Sequence, residues 1–173
     1  MVHVSNSITL PIKDFRLRPL QISDLDSLLS IWSDSEVTRF LPSRGKPVAR
    51  ENTEKMLRFF IEHWQQRGYG VWAIVENSSA RMVGYCGLRY LEELDDTEVL
   101  YGLAKTYWGR GIATQAAKAA VKYGFDVANL NRLIAMALPE NIASIGVIEK
   151  AGLQYEKQIH MFDLDVLYYS ANR

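Results

Sequence analysis

The chain has 173 residues, and its 20 basic side chains equal its 20 acidic ones, so the formal net charge is zero. This length predicts a single domain with a core of its own, and the charge balance excludes the overall basic bias of a nucleic-acid-binding protein. The one cysteine, Cys86, excludes an intrachain disulfide and is expected to be a small buried hydrophobe. No apolar stretch is long enough to cross a membrane and the first residues lack a signal-peptide pattern. We therefore expect a cytoplasmic protein that binds neither nucleic acid nor membranes.

The first part of the chain predicts one strand and two helices after an irregular arm at residues 1–13. Residues 15–18 alternate apolar and basic side chains, as half-buried strands do. Ser23 is the predicted cap of the first helix, whose first turn is acidic. The second helix spans residues 48–67, and Gly68 is its predicted stop.

The chain beyond Gly68 predicts six strands and two more helices. In chain order these are strands 70–75, 82–90 and 97–104, helix 112–127, strand 133–138, helix 141–151, and strands 154–160 and 162–169. The whole order, β-α-α-β-β-β-α-β-α-β-β, predicts a mixed sheet with helices on its faces, of the α/β or α+β class. Residues 97–138 have the length and order of a βαβ crossover, which joins two parallel strands.

A glycine-containing turn precedes the alanine-rich helix 112–127. The first turn of a helix exposes unpaired N–H groups and the positive end of the helix dipole, which together favour an anion. Gly109 and Gly111 let the main chain approach a bulky phosphate, Arg110 adds charge, and Thr114 offers a hydroxyl. A plain tight turn explains the glycines equally well, so both interpretations stay open on the turn alone. The turn lacks the third glycine of a dinucleotide fingerprint and the Gly-Lys-Ser/Thr of a Walker loop.

Residues 107–114, with the sequence YWGRGIAT, resemble the acetyl-CoA pyrophosphate loop of the GNAT superfamily of N-acetyltransferases. That loop is written Gln/Arg-x-x-Gly-x-Gly/Ala, and Gly111 and Ala113 match its last two positions. Trp108 stands where the family usually has Gln or Arg. This departure is typical of the RimJ/RimL-like branch, the ribosomal-protein N-terminal acetyltransferases and their relatives.

A second motif, later in the chain, resembles the same family. The next βα unit of the family often reads Asn-x-x-Ala/Ser, with Gly-Phe/Leu further on. Asn141 and Ser144 match the first part, and Gly152 and Leu153 match the second. The resemblance runs from about residue 15 to the last strand, nearly the whole chain.

The resemblance implies one GNAT domain over residues 1–173. Its fold is a mixed, strongly twisted sheet of about seven strands, splayed at the centre, with helices on both faces. The co-substrate is acetyl-CoA, whose pantetheine arm pairs with the backbone of the strand that ends at Leu103 and Ala104, and no metal is implied. The implied cofactor-binding residues are Leu103, Ala104, Trp108, Gly109, Arg110, Gly111, Ile112, Ala113, Thr114, Asn141 and Ser144.

The implied reaction is direct attack of an amine on a thioester within a ternary complex. An attacking amine must lose a proton, and the departing thiolate gains from a hydrogen-bond donor. Glu98 is the predicted base, because a Glu often opens this strand in the resembling branch; an exposed structural Glu is the alternative. Ile148 stands where many members have a proton-donating Tyr, and the resemblance implies Ser144 as its substitute, because in the RimL-like branch a Ser at this position is proposed to face the sulfur. A helical Ser that bonds back to its own backbone is the alternative for Ser144.

The acceptor is expected between the first helices and the last strands. The resemblance implies a protein N-terminal α-amino group. A small amine (a polyamine, an antibiotic or an amino acid) stays open, as does a non-catalytic acetyl-CoA-binding module, which the apolar Ile148 favours. The protein is expected to be a monomer or a homodimer, and His63 to be partly exposed rather than catalytic. Side chains that can line or charge the acceptor site are Trp32, Phe40, Trp72, Tyr85, Tyr90, Arg39, Arg44 and Arg89.

Overall fold

The computed structural model describes residues 8–9 and 14–173 of the chain. The predicted irregular arm at 1–13 therefore lies outside the described residues, except for a two-residue strand that pairs with the next strand along the chain. Described strands, in chain order, are β1 (Ile8–Thr9), β2 (Phe15–Pro19), β3 (Val71–Glu76), β4 (Met82–Leu91), β5 (Asp96–Leu103), β6 (Arg132–Ala137), β7 (Gln154–Met161) and β8 (Leu164–Asn172). They form a mixed sheet in the order β1-β2-β3-β4-β5-β6-β8-β7, which confirms the predicted fold class.

The helices follow the predicted positions, with one addition. They are α1 (Leu25–Ser33), α2 (Ser35–Thr38), α3 (Arg50–Arg67), α4 (Ile112–Asp126) and α5 (Ile142–Lys150). The single-turn α2 is the addition, and Asp34 caps it by accepting a hydrogen bond from the Glu36 N–H. Gly68 ends α3 with a left-handed φ of 73°, as its position after the apolar run predicts.

The predicted cap of the first helix is wrong by one residue. Asp24, not Ser23, stands at the N-cap position of α1; it is the last residue of a short 3-10 turn, and its side chain makes no capping hydrogen bond to α1. The Asp24 carboxylate is buried and accepts two hydrogen bonds of 2.8 Å from Arg18 and one of 2.8 Å from the Gln21 N–H. A buried carboxylate requires such partners, and they fix Asp24 in place whereas Ser23 stays exposed.

Each face of the sheet has its own core, because successive strand residues point to opposite faces. On β3, Trp72 and Ile74 pack against α4 and α5, whereas Val71, Ala73 and Val75 pack against α1 and α3. Small side chains bring α4 close to the sheet: Ala116, Ala117 and Ala120 are fully buried. Helices therefore cover both faces, as predicted.

The sheet opens at its centre, between β5 and β6. These two strands are parallel, as the predicted βαβ crossover requires, but their registered pairing is the single position Glu98 opposite Ile134. On either side the ladders are long: β4 and β5 pair over eight positions and β6 and β8 over six. Beyond Glu98, β5 has no registered partner on this side among the described residues, and this gap is called the notch below.

His63 is buried in α3, against the prediction that it is partly exposed. Its Nε2 accepts a hydrogen bond from the Tyr90 N–H at 3.1 Å, so Nδ1 carries the proton and donates to the Tyr69 carbonyl at 3.0 Å. Burial, aided by the cations Arg67 and Arg89, lowers the pKa of His63. Both ring nitrogens are thus committed to structure in the neutral imidazole.

Lowering the pH from 7 to 5 should reduce the free energy of unfolding through His63. The unfolded chain takes up a proton near the ordinary His pKa of 6.5, whereas the folded chain, with its lowered pKa, resists protonation; the stabilisation is therefore present above 6.5 and lost as the pH falls. His63→Gln should flatten this dependence in urea unfolding followed at several pH values. A wild-type slope in His63→Gln would contradict the assignment.

Candidate active site

The edge of β5 presents unpaired backbone groups to the notch. The Ala104 N–H donates to the Val83 carbonyl at 2.8 Å, on the β4 side. Antiparallel pairs alternate between exchanging hydrogen bonds and pointing their polar groups away, so the N–H and C=O of Tyr101 and Leu103 point towards the notch. One of these groups is already satisfied, because the Trp108 indole N–H donates to the Leu103 carbonyl at 3.0 Å.

The glycine turn ends beside this edge and is open. Gly109 and Gly111 have φ of 72° and 74°, a conformation that favours glycine, and a Cβ on either would meet no atom within 4 Å. The Trp108 N–H is bonded to the Lys105 carbonyl, and the next N–H with a partner in the described chain is that of Gln115. The N–H groups of residues 109–114, at the start of α4, are therefore free to bind an anion.

The side chains around this turn divide into anchors and exposed groups. Ile112 is buried in the core and holds the start of α4 against the sheet, while Ala113 and Thr114 are half-buried. The Arg110 guanidinium stacks at 5.3 Å from the ring centroids of both Phe15 and Tyr107. Arg110 is thus held beside β2 by aromatic rings, a contact that the sequence motif does not indicate.

The first turn of α5 brings a pair of hydroxyl groups together across the notch. Asn141 caps α5, because its Oδ1 accepts a hydrogen bond from the Ser144 N–H at 3.2 Å. The Tyr101 hydroxyl, from β5, lies 2.9 Å from the Ser144 carbonyl oxygen and 2.8 Å from Ser144 Oγ. Burial raises the pKa of Tyr101, so this phenol stays protonated at neutral pH.

Tyr101 is absent from the site residues predicted from the sequence. The only sequence signal for it is strand alternation: Tyr101 lies three residues after Glu98, so it points to the opposite face, towards α4 and α5. Ile148, at the position of the family's Tyr, is 2% exposed and belongs to the core. Cys86 lies opposite Tyr101 on β4 and is fully buried as expected, and burial raises the pKa of its thiol. Neither Ile148 nor the Cys86 thiol offers a reactive group.

Glu98 lies on the other face of β5, in an ion pair. Its Oε2 accepts hydrogen bonds from Arg89 Nε, at 3.2 Å, and from the adjacent Arg89 amino group on β4. Glu98 is 7% exposed, so it is a buried paired carboxylate and not the exposed strand-opening residue of the alternative interpretation. The Phe162 ring, at the tip of the β7–β8 hairpin, lies 5.8 Å from the Arg89 guanidinium. Glu98 and Tyr101 are about 10 Å apart along the strand, at three residues of ~3.3 Å each.

Only part of the expected acceptor set comes together. Trp32 and Tyr85 pack edge to face on the same side of the sheet as Glu98, and the Trp32 N–H donates to the Tyr85 hydroxyl at 3.2 Å. Trp72 lies in the core of the opposite face. Tyr90 bonds to Asp95 in the β4–β5 turn, where Arg67 stacks on its ring at 3.8 Å.

The charged groups near the acceptor side are mostly paired with each other. Arg44 lies 3.9 Å from Glu140, and Lys105 lies 3.9 Å from Glu36. These two exposed pairs link the α1–α3 region to the segments that follow β6 and β5. Arg39 stacks on the neighbouring Phe40 ring at 5.1 Å.

Two other properties concern the described part of the chain. It contains no group of three or more His, Cys, Asp or Glu side chains arranged to hold a metal ion. Its helices are all too short or too polar to span a membrane.

Comparison with known proteins identifies the family. Residues 14–154 match the family model of the acetyltransferase (GNAT) domain. The chain is 30% identical over 152 residues to an uncharacterized N-acetyltransferase, p20, of Bacillus licheniformis, with 86% of this chain and 83% of p20 covered. It is 26% identical over 161 residues to spermidine N(1)-acetyltransferase of Escherichia coli K12, covering 91% and 83% of the two chains.

Solved structures agree on the fold. The structure of RimL, a ribosomal L7/L12 alpha-N-protein acetyltransferase in complex with coenzyme A, superposes with a TM-score of 0.80 at 19% identity, covering 96% of this chain and 97% of RimL. The family model, the p20 relative and this fold agree, and the chain therefore belongs to the GNAT family as an acetyl-CoA-dependent N-acetyltransferase.

Proposed function

We propose that this enzyme transfers the acetyl group of acetyl-CoA to the N-terminal α-amino group of a protein or peptide, by direct attack within a ternary complex. The observation that carries the proposal is the open glycine turn with free N–H groups, placed directly beside the unpaired edge of β5. An anion-binding helix start next to an open strand edge fits a long ligand with a diphosphate at one end and an amide-rich arm.

In the proposed binding mode, the N–H groups of residues 109–114 bind the diphosphate. The backbone groups of Tyr101 and the Leu103 N–H then pair with the pantetheine arm, because these groups point into the notch. The Leu103 carbonyl and Trp108 contribute by holding the end of β5 next to the turn. Asn141 orients the first turn of α5, so Ser144 lies at the thioester end of the arm.

In the proposed chemistry, Glu98 accepts the proton that the amine loses. Its carboxylate lies on the same side of the sheet as Trp32 and Tyr85, about 10 Å along β5 from Tyr101, so a water chain carries the proton from the amine to Glu98. Ser144, on the other face, donates a hydrogen bond to the departing thiolate. The base and the leaving-group donor then act from opposite faces of the open sheet.

A peptide amine is favoured over a polyamine by the charges at the acceptor side. A polyamine carries several ammonium groups and requires unpaired carboxylates. The carboxylates of Glu36, Glu98 and Glu140 are each already paired with a cation of the same chain. Spermidine is the second candidate because the E. coli relative acetylates it by name.

The acceptor assignment is tested by thiol release from acetyl-CoA. We expect release with a short peptide that has a free N-terminus, and slower release with spermidine at equal concentration. The same peptide with an acetylated N-terminus is the control and should release no thiol above background. Faster release with spermidine would favour the second candidate, and no release with any amine would favour a binding module.

Gly111→Asp should abolish coenzyme A binding. The substitution places a carboxylate where the diphosphate is proposed to lie, and juxtaposed like charges weaken binding by on the order of 100-fold or more. Gly111→Asn is the matched control, because Asn has the same shape, tolerates the left-handed conformation and carries no charge. A thermal shift with coenzyme A should survive in Gly111→Asn and disappear in Gly111→Asp. Wild-type shifts in both variants would place the diphosphate elsewhere, whereas loss in both would show that the added side chain itself blocks the site.

Glu98→Gln should lower kcat by about 100-fold, the usual contribution of a general base, with little change in affinity for acetyl-CoA. The loss should be largest at low pH, where more of the amine is protonated and depends on a base. Asp24→Asn is the control, since it breaks the other buried Arg–carboxylate pair, far from the notch. It should lower stability but keep kcat; a wild-type pH–rate profile in Glu98→Gln would remove Glu98 from the mechanism.

A further inference from the structure

The two hydroxyl groups that meet across the notch form a defined donor chain. A carbonyl oxygen only accepts hydrogen bonds, so the Tyr101 O–H donates to the Ser144 carbonyl at 2.9 Å. The Ser144 hydroxyl, whose Oγ lies 2.8 Å away, then donates a hydrogen bond to the Tyr101 oxygen in the absence of another acceptor. The Tyr101 ring packs against the core that α4 and α5 cover, and the residue opposite Tyr101 on β4 is the fully buried Cys86.

The direction of the hydrogen bond between the two hydroxyl groups can reverse when negative charge develops beside Ser144. An anionic acceptor attracts the Ser144 O–H, because hydrogen bonds to charged groups are stronger than those between neutral groups. Ser144 Oγ is then left with free lone pairs, and the Tyr101 O–H lies 2.8 Å away to donate to one of them. Hydrogen bonds in such a chain strengthen one another.

We infer that Tyr101 is a positioning residue for the leaving group: its hydroxyl holds and polarises Ser144, which in turn stabilises the departing thiolate of coenzyme A. This inference rests on the proposed function of the notch. Many family members have a Tyr at the position of Ile148 on α5. In this chain Tyr101, on the neighbouring strand β5, supplies a phenol instead.

During acetyl transfer neither hydroxyl group loses its proton. The amine nitrogen forms a bond to the acetyl carbon, the carbon–sulfur bond breaks, and its electron pair goes to sulfur. The proton of the amine leaves through the base on the other face, and the thiolate is later protonated by solvent. Tyr101 and Ser144 contribute hydrogen bonds only, which agrees with the raised pKa of the buried phenol.

Kinetics of four variants test whether Tyr101 acts through Ser144. Tyr101→Phe keeps the ring and removes the hydroxyl, and we expect kcat to fall by about 10-fold, as for loss of one hydrogen bond to a developing charge, with KM for acetyl-CoA nearly unchanged. The kcat of Ser144→Ala should fall by at least as much. The double variant should be no slower than Ser144→Ala, because Tyr101 has no route to the sulfur without Ser144.

The matched control is Tyr69→Phe. Tyr69 also places its hydroxyl against another hydroxyl, Thr97 Oγ1 at 3.1 Å, at the opposite end of the same strand β5. Tyr69→Phe should lower the free energy of unfolding slightly and leave kcat unchanged. A wild-type kcat in Tyr101→Phe, or losses that multiply in the double variant, would overturn the inference.

A measurement without turnover separates this inference from the proposed function. The thiol of coenzyme A bound to the protein is titrated by thiolate absorbance, and the wild type should lower its pKa relative to free coenzyme A. Tyr101→Phe and Ser144→Ala should move the value back towards that of the free thiol, whereas Tyr69→Phe should not. Lack of any coenzyme A complex would overturn both proposals, and a complex with the same thiol pKa in wild type and Tyr101→Phe would overturn only the role of Tyr101.

Discussion

The single registered pairing between β5 and β6 is the constraint on which the candidate site depends. Backbone N–H and C=O groups that leave a ladder must find other partners, because burying them unpaired is unfavourable. Along this edge the chain supplies one partner itself, the Trp108 indole on the Leu103 carbonyl. The remaining groups of the edge stay available, so the opening of the sheet directly creates the proposed binding surface.

The side chains proposed to take part in the reaction lie on opposite faces of the opened sheet. Alternation on β5 sends Glu98 to the side of α1 and Tyr101 to the side of α4 and α5. A thioester that passes through the notch is reached by one group from each side. In the proposed mechanism, the strand therefore keeps the proton acceptor Glu98 apart from Tyr101, which positions the leaving-group donor Ser144, and Glu98 and Tyr101 cannot form a direct hydrogen bond.

Local patterns in the sequence were sufficient to predict most of the fold. Alternating segments and short apolar runs between turns marked seven of the strands, Gly68 ended α3, and Asn141 capped α5, because each signal depends on a few neighbouring residues. The errors involve distant contacts. His63 is buried because β4 supplies the Tyr90 N–H, 27 residues away, and Tyr101 reaches Ser144 across 43 residues. No local pattern encodes such pairs, since they arise only when two elements cross.

The N-cap of α1 and the surroundings of Arg110 show that contacts between charged side chains and distant elements are also not encoded in the local sequence. Ser23 and Asp24 are both good caps by type, but the Asp24 side chain makes no capping hydrogen bond to α1, because its carboxylate is bonded to Arg18 on β2 and to the Gln21 N–H. The motif predicts Arg110 as a phosphate ligand, and its local sequence does not indicate that the Phe15 and Tyr107 rings lie 5.3 Å from its guanidinium. Arg89 and Arg44 are paired with carboxylates, so in the proposed binding mode the notch uses mainly N–H and hydroxyl groups. Such neutral donors are directional, so they select the shape of a ligand as well as its charge, and salt weakens them less than it weakens exposed cations.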